Sequence, residues 1–258
     1  MIQIDQITFQ YEKHLPLFQD FSWLVESGQS WVIIGPSGCG KSTILYLLSG
    51  LVHPQKGQIL INGELLNTPR PRTGLILQDY GLLPWATVRD NLSLGLNLRT
   101  FYGPDGIHAP KESADIRKRD SVHNWLERLG ISEIAAKFPG QISGGQRQRT
   151  AIARTLVLEP DLLLMDEPFA SLDTPTREDL QHLIQSISKE RPLTSILVTH
   201  AIEEALFMGE KILVLHNGIN TKPMILENPF YGKLDQSAEK HYQPLVNQIR
   251  EELKGRTA

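Results

Sequence analysis

The stretch Gly35-Pro36-Ser37-Gly38-Cys39-Gly40-Lys41-Ser42 constrains this chain more than any other. It satisfies G-x-x-x-x-G-K-[ST] at every fixed position. Glycines at this spacing let the backbone curl so that its N–H groups face an anion. The run before it, Trp31-Val32-Ile33-Ile34, reads as a buried strand ending at Gly35. After it, Ile44, Leu45, Leu47 and Leu48 form a helical stripe that Gly50 closes. A strand that passes through a glycine loop into a helix places positive potential at the helix N-terminus. Lys41 would add a full charge on the β and γ phosphates, and Ser42 a hydroxyl for Mg²⁺. The expected ligand is therefore ATP with Mg²⁺, held by the loop from Gly35 to Thr43, with Cys39 as a small filler. A helix N-terminus also lowers a thiol pKa, so alkylation of Cys39 is expected to interfere with ATP binding.

The flanking sequence supplies an α/β core around this loop. Residues 2–9, 21–25, 58–61 and 75–77 read as short strands, and the first of these alternates apolar and polar residues. Strand signals then fade from about Leu82 to Leu158, where helical patterns such as Val122, Trp125, Leu126 and Leu129 dominate. The segment from Tyr102 to Pro110 reads as a loop, and the charged run 111–120 as a solvated helix face. Buried strands resume at Leu162-Leu163-Leu164-Met165 and Ile196-Leu197-Val198. Thr174 reads as an N-cap with Pro175 at the first helical position. Ile212 to Leu215 leads into Asn217-Gly218, a two-residue hairpin signal. Strands alternating with helices imply a mostly parallel sheet.

Acids stand where the chemistry of phosphoryl transfer needs them. The strand at Leu162 delivers Asp166-Glu167-Pro168 at its carboxyl end. Asp166 is placed to hold Mg²⁺, and Glu167 to orient the attacking water. His200 ends the strand Ile196 to Thr199, and Gln78 ends the strand Leu75 to Leu77. Such strand-end residues converge on one crevice in an open parallel sheet.

The segment Ile142-Ser143-Gly144-Gly145-Gln146-Arg147-Gln148-Arg149 closely resembles the signature of ABC ATPases, with Ile where Leu is common. The resemblance runs from about Met1 to Gly218 and implies an α/β P-loop NTPase of the ABC ATPase type. Its core would cover about 1–81 and 159–220, with an N-terminal antiparallel β subdomain, an inserted helical subdomain at about 82–158 and a tail at 221–258. By resemblance, Tyr11 stacks on adenine, Gln78 is the Q-loop residue that also reaches Mg²⁺, Ser171-Leu172-Asp173 is the D-loop, and His200 is the switch histidine. Ser143, Gly144, Gly145 and Gln146 would cap the γ-phosphate held by another subunit, because Ser-Gly-Gly opening a helix is an anion site. A head-to-tail dimer sandwiching two ATP is implied, as a homodimer or with a paired ABC ATPase subunit.

Leu82-Leu83-Pro84-Trp85, Val88-Arg89-Asp90-Asn91 and Asn228-Pro229-Phe230-Tyr231-Gly232 look like the nitrate/sulfonate/taurine-type importers. Those use integral membrane permease subunits and an extracytoplasmic solute-binding protein. Tyr80 to Trp85 would then line the groove for the permease at the cytoplasmic face of the membrane. The departures are Ala201 after the switch histidine, a longer insert at 100–120 and no Pro-Gly stretch after the last hairpin. The chain has no run near ~18 apolar residues, so it is not expected to span a membrane itself. The net charge is −3, which argues against nucleic acid as a partner. A DNA-repair or translation ATPase usually carries a long coiled coil, yet only 102 residues separate Lys41 from Ser143. Export and lipoprotein-release ATPases more often read Ser-Gly-Gly-Glu-Gln.

Overall fold

The computed structural model describes residues 1–12, 15–102, 115–170, 172–233 and 239–254. In chain order the strands are β1 (Ile2–Phe9), β2 (Phe18–Val25), β3 (Ser30–Ile34), β4 (Lys56–Ile61), β5 (Glu64–Leu65), β6 (Thr73–Ile76), β7 (Leu162–Asp166), β8 (Thr194–Thr199), β9 (Lys211–Val214) and β10 (Met224–Glu227). The helices are α1 (Lys41–Ser49), α2 (Val88–Tyr102), α3 (Asp115–Arg128), α4 (Gly144–Leu156), α5 (Thr174–Glu190), α6 (Ile202–Met208) and α7 (Glu239–Lys254).

The strands form two sheets, ordered β2-β1-β4-β5 and β10-β9-β3-β8-β7-β6. The first is antiparallel throughout. The second is parallel except for β10 at its edge. Alternation along each central strand explains why it is buried on both sides. In β3, Val32 and Ile34 join one apolar core while Trp31 and Ile33 join the other. Leu163 and Met165 of β7 likewise oppose Leu162 and Leu164. One core packs the sheet against α2, α3, α4, α5, α6 and α7. The other packs it against α1 and the antiparallel sheet.

This is the expected α/β architecture, with the antiparallel sheet at the N-terminal side. Between β6 and β7 the described residues form α2, α3 and α4 and no strand. The loop expected at 103–110 lies outside the described residues, as do residues 111–114 of the charged run. Two local expectations are corrected. Asp173, not Thr174, caps α5: its Oδ1 accepts from the Thr176 N–H at 3.0 Å, leaving Thr174 as the first helical residue. The hairpin after β9 exists, but its connection spans residues 215–223 rather than two. The reason is a competing pairing, since Asn220 bridges to Phe18 and its N–H donates to the Leu17 carbonyl at 2.9 Å. The chain must reach the antiparallel sheet before it can turn back.

Candidate nucleotide site

The register of the parallel sheet decides what meets the glycine loop. Ile34 lies opposite Thr199, Asp166 opposite Val198, and Ile76 opposite Met165. The loop after β3, His200 after β8, Asp166 and Glu167 at β7, and Gln78 after β6 therefore emerge along one edge. This is the crevice at the carboxyl ends of an open sheet.

A cavity of about 830 Å³ opens there. Tyr11, Leu15, Pro16 and Leu17 line it together with the loop residues Ser37, Gly38 and Gly40 through Thr43, and Glu167 also borders it. The size suits a mononucleotide. Tyr11 is 41% exposed, its hydroxyl 3.4 Å from Thr43 Oγ1 and its ring edge-on to Phe9, which leaves a face available for a base. Lys41 Nζ donates to the carbonyls of Gly35 and Pro36, both at 2.8 Å, which holds the ammonium over the loop. Gly40, at φ +104, has a backbone conformation that side-chain-bearing residues rarely adopt, and a Cβ there would crowd the Phe18 ring at 3.0 Å.

Asp166 is buried, and burial pushes its carboxyl above the ordinary aspartate value. The Ser42 hydroxyl and the Lys41 ammonium pull it back, while Glu167 pushes the same way as burial. A hard-oxygen pair of one hydroxyl and one carboxylate, beside phosphates, fits Mg²⁺, which keeps most of its own waters. Among the described residues no cluster of three or more His, Cys, Asp or Glu is built for a metal.

Glu167 has φ +46, a region that bulky residues avoid and that Pro168 disfavours further. Its N–H donates to the Val198 carbonyl at 2.9 Å, which fixes the strained turn to β8. The turn brings Glu167 Oε1 to 3.3 Å from His200 Nδ1. Strain of this kind, about 1–3 kcal/mol, gathers at functional sites.

The remaining site residues lie elsewhere. Ser143 caps α4: its Oγ accepts from the Gln146 N–H at 3.3 Å, and its own N–H donates to Gln146 Oε1 at 3.0 Å. A Cβ on Gly145 would touch Thr176 and Leu172, so the Ser143–Gln146 turn lies against the Asp173 turn. The Thr176 N–H and hydroxyl both donate to Asp173, holding its carboxyl below the ordinary value. Neither turn lines the cavity. Gln78 follows β6 with an exposed side chain and also does not line it. Ser171 lies outside the described residues.

Cys39 corrects an expectation. Its side chain is 1% exposed, and burial raises the thiol pKa more than Lys41 lowers it. Only its main chain can meet a phosphate, and the thiol is not activated. In the 80–85 segment, Trp85 is 74% exposed while Tyr80, Leu82 and Leu83 are half-buried. Three supporting residues carried no local signal in the sequence. Arg154 of α4 donates to the Gly81 carbonyl and, at 3.0 Å, to that of Tyr80. Asn91 is fully buried, and its amide donates to the Leu83, Ala86 and Thr87 carbonyls. Asn220 is the third.

A phosphate loop, a buried acid and a strained Glu–His pair on one sheet edge define a nucleoside-triphosphatase. The chain belongs to the ABC transporter family, whose profile matches residues 18–170, and it is an ABC ATPase. It is 38% identical over 218 residues to the taurine import ATP-binding protein TauB of Escherichia coli, across 84% of this chain and 80% of that protein. The nitrate import ATP-binding protein NrtD of Synechococcus elongatus is 38% identical across 82% of this chain and 74% of its own length. Among solved structures, the dimeric, ADP- and Pi-bound ATP-binding cassette MJ0796 superposes with a TM-score of 0.74 at 28% identity, across 88% of this chain and 98% of that one. No helix of the described residues is long and apolar enough to cross a membrane.

Proposed function

We propose that this chain is the ATP-hydrolysing subunit of an importer. It works as a head-to-tail dimer and powers uptake of a small anion or related organic solute, of the nitrate, sulfonate or taurine kind. Separate permease subunits form the passage, an extracytoplasmic binding protein delivers the solute, and this chain sits at the cytoplasmic face. The observation that carries the reading is the approach of His200 to Glu167 beside Asp166, Ser42 and Lys41. Support for import comes from the roles of the taurine and nitrate import relatives.

In this reading Tyr11 stacks on adenine, and the N–H groups from Ser37 to Thr43 cradle the phosphates. Lys41 places its charge on the β and γ oxygens. Ser42 and Asp166, with Gln78, hold Mg²⁺, which when bound neutralises charge building on the phosphates. Glu167 orients the attacking water, and His200 fixes Glu167 and contacts the γ-phosphate. Positioning and charge carry the rate, because phosphoryl transfer asks little covalent chemistry of a protein. Ser143 and the Gly144 and Gly145 amides, on a surface outside the cavity, reach the γ-phosphate of the partner. Asp173 follows them across that interface.

Uptake by cells tests the reading. Labelled taurine and nitrate should enter cells that express the chain with its co-purifying membrane proteins, and Lys41→Ala should abolish entry. Unchanged uptake with Lys41→Ala would refute the energising role.

A further inference from the structure

A phosphate loop works only if its carbonyls turn away from the anion. The Cys39 carbonyl sits in the middle of this loop, ahead of the first turn of α1. Asn220 reaches it from the segment after β9: its Nδ2 donates to Cys39 O at 3.2 Å. The same Nδ2 donates to Leu17 O at 3.3 Å and to His216 O at 3.2 Å, while Oδ1 accepts from the His216 N–H at 3.0 Å. The Asn220 side chain is 5% exposed, so its amide hydrogens are committed to these carbonyls rather than to water.

The three acceptors belong to three parts of the nucleotide site. Cys39 is in the phosphate loop. Leu17 lines the cavity, as Tyr11 does. His216 belongs to the segment that backs the loop, where a Cβ on Gly35 would stand 2.6 Å from Leu215 O. The main chain repeats the tie, since Asn220 N–H donates to Leu17 O and the Gln19 N–H donates to Asn220 O.

We propose that Asn220 is a positioning residue for nucleotide binding: it turns the Cys39 carbonyl outward and fixes the spacing between the phosphate loop and the base-side wall. Base and triphosphate are then met in register. Asn220 touches neither the γ-phosphate nor the water, so its effect falls on binding rather than turnover. The inference rests on the ATP-site reading above.

The test uses the full chain with Asn220→Asp, Asn220→Ala and Asn220→Ser. Asp keeps the shape but removes both donated hydrogens, and Ser restores one donor. MgATP affinity is measured by equilibrium titration, and turnover at saturation by phosphate release. Asp and Ala should weaken MgATP by roughly tenfold or more, with Ser between them and the parent, while saturated turnover stays within about twofold. If Ala does not fold, the order of parent, Ser and Asp decides. Affinities of Asp and Ser within about twofold of the parent would overturn the proposal, as would a turnover loss at unchanged affinity. A parent chain that fails to bind MgATP would instead overturn the ATP-site reading.

Discussion

At the scale of single residues, Glu167 and Asp166 are neighbours in sequence with opposite environments. Glu167 is strained, half-buried and beside His200; Asp166 is buried beside Ser42. Glu167→Gln keeps the shape and removes the charge that polarises water. It should cut saturated turnover by about 100-fold or more and leave MgATP affinity within about twofold, as phosphate release and titration would measure. A variant turning over at the parental rate would remove Glu167 from the chemistry. Asp166 gives a pH prediction with a definite sign. Its folded pKa is raised, so the folded state binds the proton more tightly than the unfolded chain. Its contribution to stability therefore falls as pH rises from the ordinary aspartate value through the raised one. Without nucleotide, Asp166→Asn should have the higher Tm at neutral pH, and the advantage should vanish below about pH 4. A pH-independent offset would contradict the desolvation account. Lys41, Ser42, Asp166, Glu167 and His200 were legible because spacing and strand ends fix them. The burial of the Cys39 thiol was not, because it depends on packing into a core with Phe18, Val198 and Leu215, which lie far from it along the chain.

At the scale of elements, the central strands were legible as continuous apolar runs, because a sheet buried on both faces requires apolar residues on both. The connections were less so. The Asn217-Gly218 turn was outcompeted by pairing of Asn220 with the end of the antiparallel sheet, a contact some 200 residues away in sequence. Thr174 lost the cap to Asp173 because a carboxylate one residue earlier reaches the Thr176 N–H. The segment before α2 depends on one side chain. Asn91 satisfies three carbonyls there and accepts from the Leu83 N–H at 2.9 Å. Removing it takes these side-chain partners from the Leu83 N–H and the Ala86 carbonyl, while the Leu83 and Thr87 carbonyls keep the Ala86 and Asn91 N–H groups, so Asn91→Ala should cost about 1–3 kcal/mol in urea unfolding. Trp85, at the tip of that segment, should become more mobile by fluorescence anisotropy. Unchanged unfolding would mean that the segment holds its own shape.

At the scale of the whole molecule, the proposed shared site divides into two parts of this chain that do not line one cavity. One is the cavity with Lys41, Ser42 and Glu167. The other is the Ser143 cap of α4, lying against the Asp173 cap of α5. In the proposed dimer a second copy, placed head to tail, would supply each half with its complement. Arg154 ties α4 to the Tyr80 and Gly81 carbonyls just after Gln78, so displacement of the exposed Trp85 segment by a permease would be transmitted to the Ser143 turn. In the proposed dimer, hydrolysis would then report closure rather than ATP binding alone.

Sedimentation velocity of Glu167→Gln with MgATP, with and without Ser143→Arg, tests this most directly. The single variant should sediment as a dimer. The double variant should bind MgATP with the same affinity, within about twofold, yet remain monomeric, because the added side chain blocks capping in trans. A double variant that dimerises as fully as the single one would contradict the shared site.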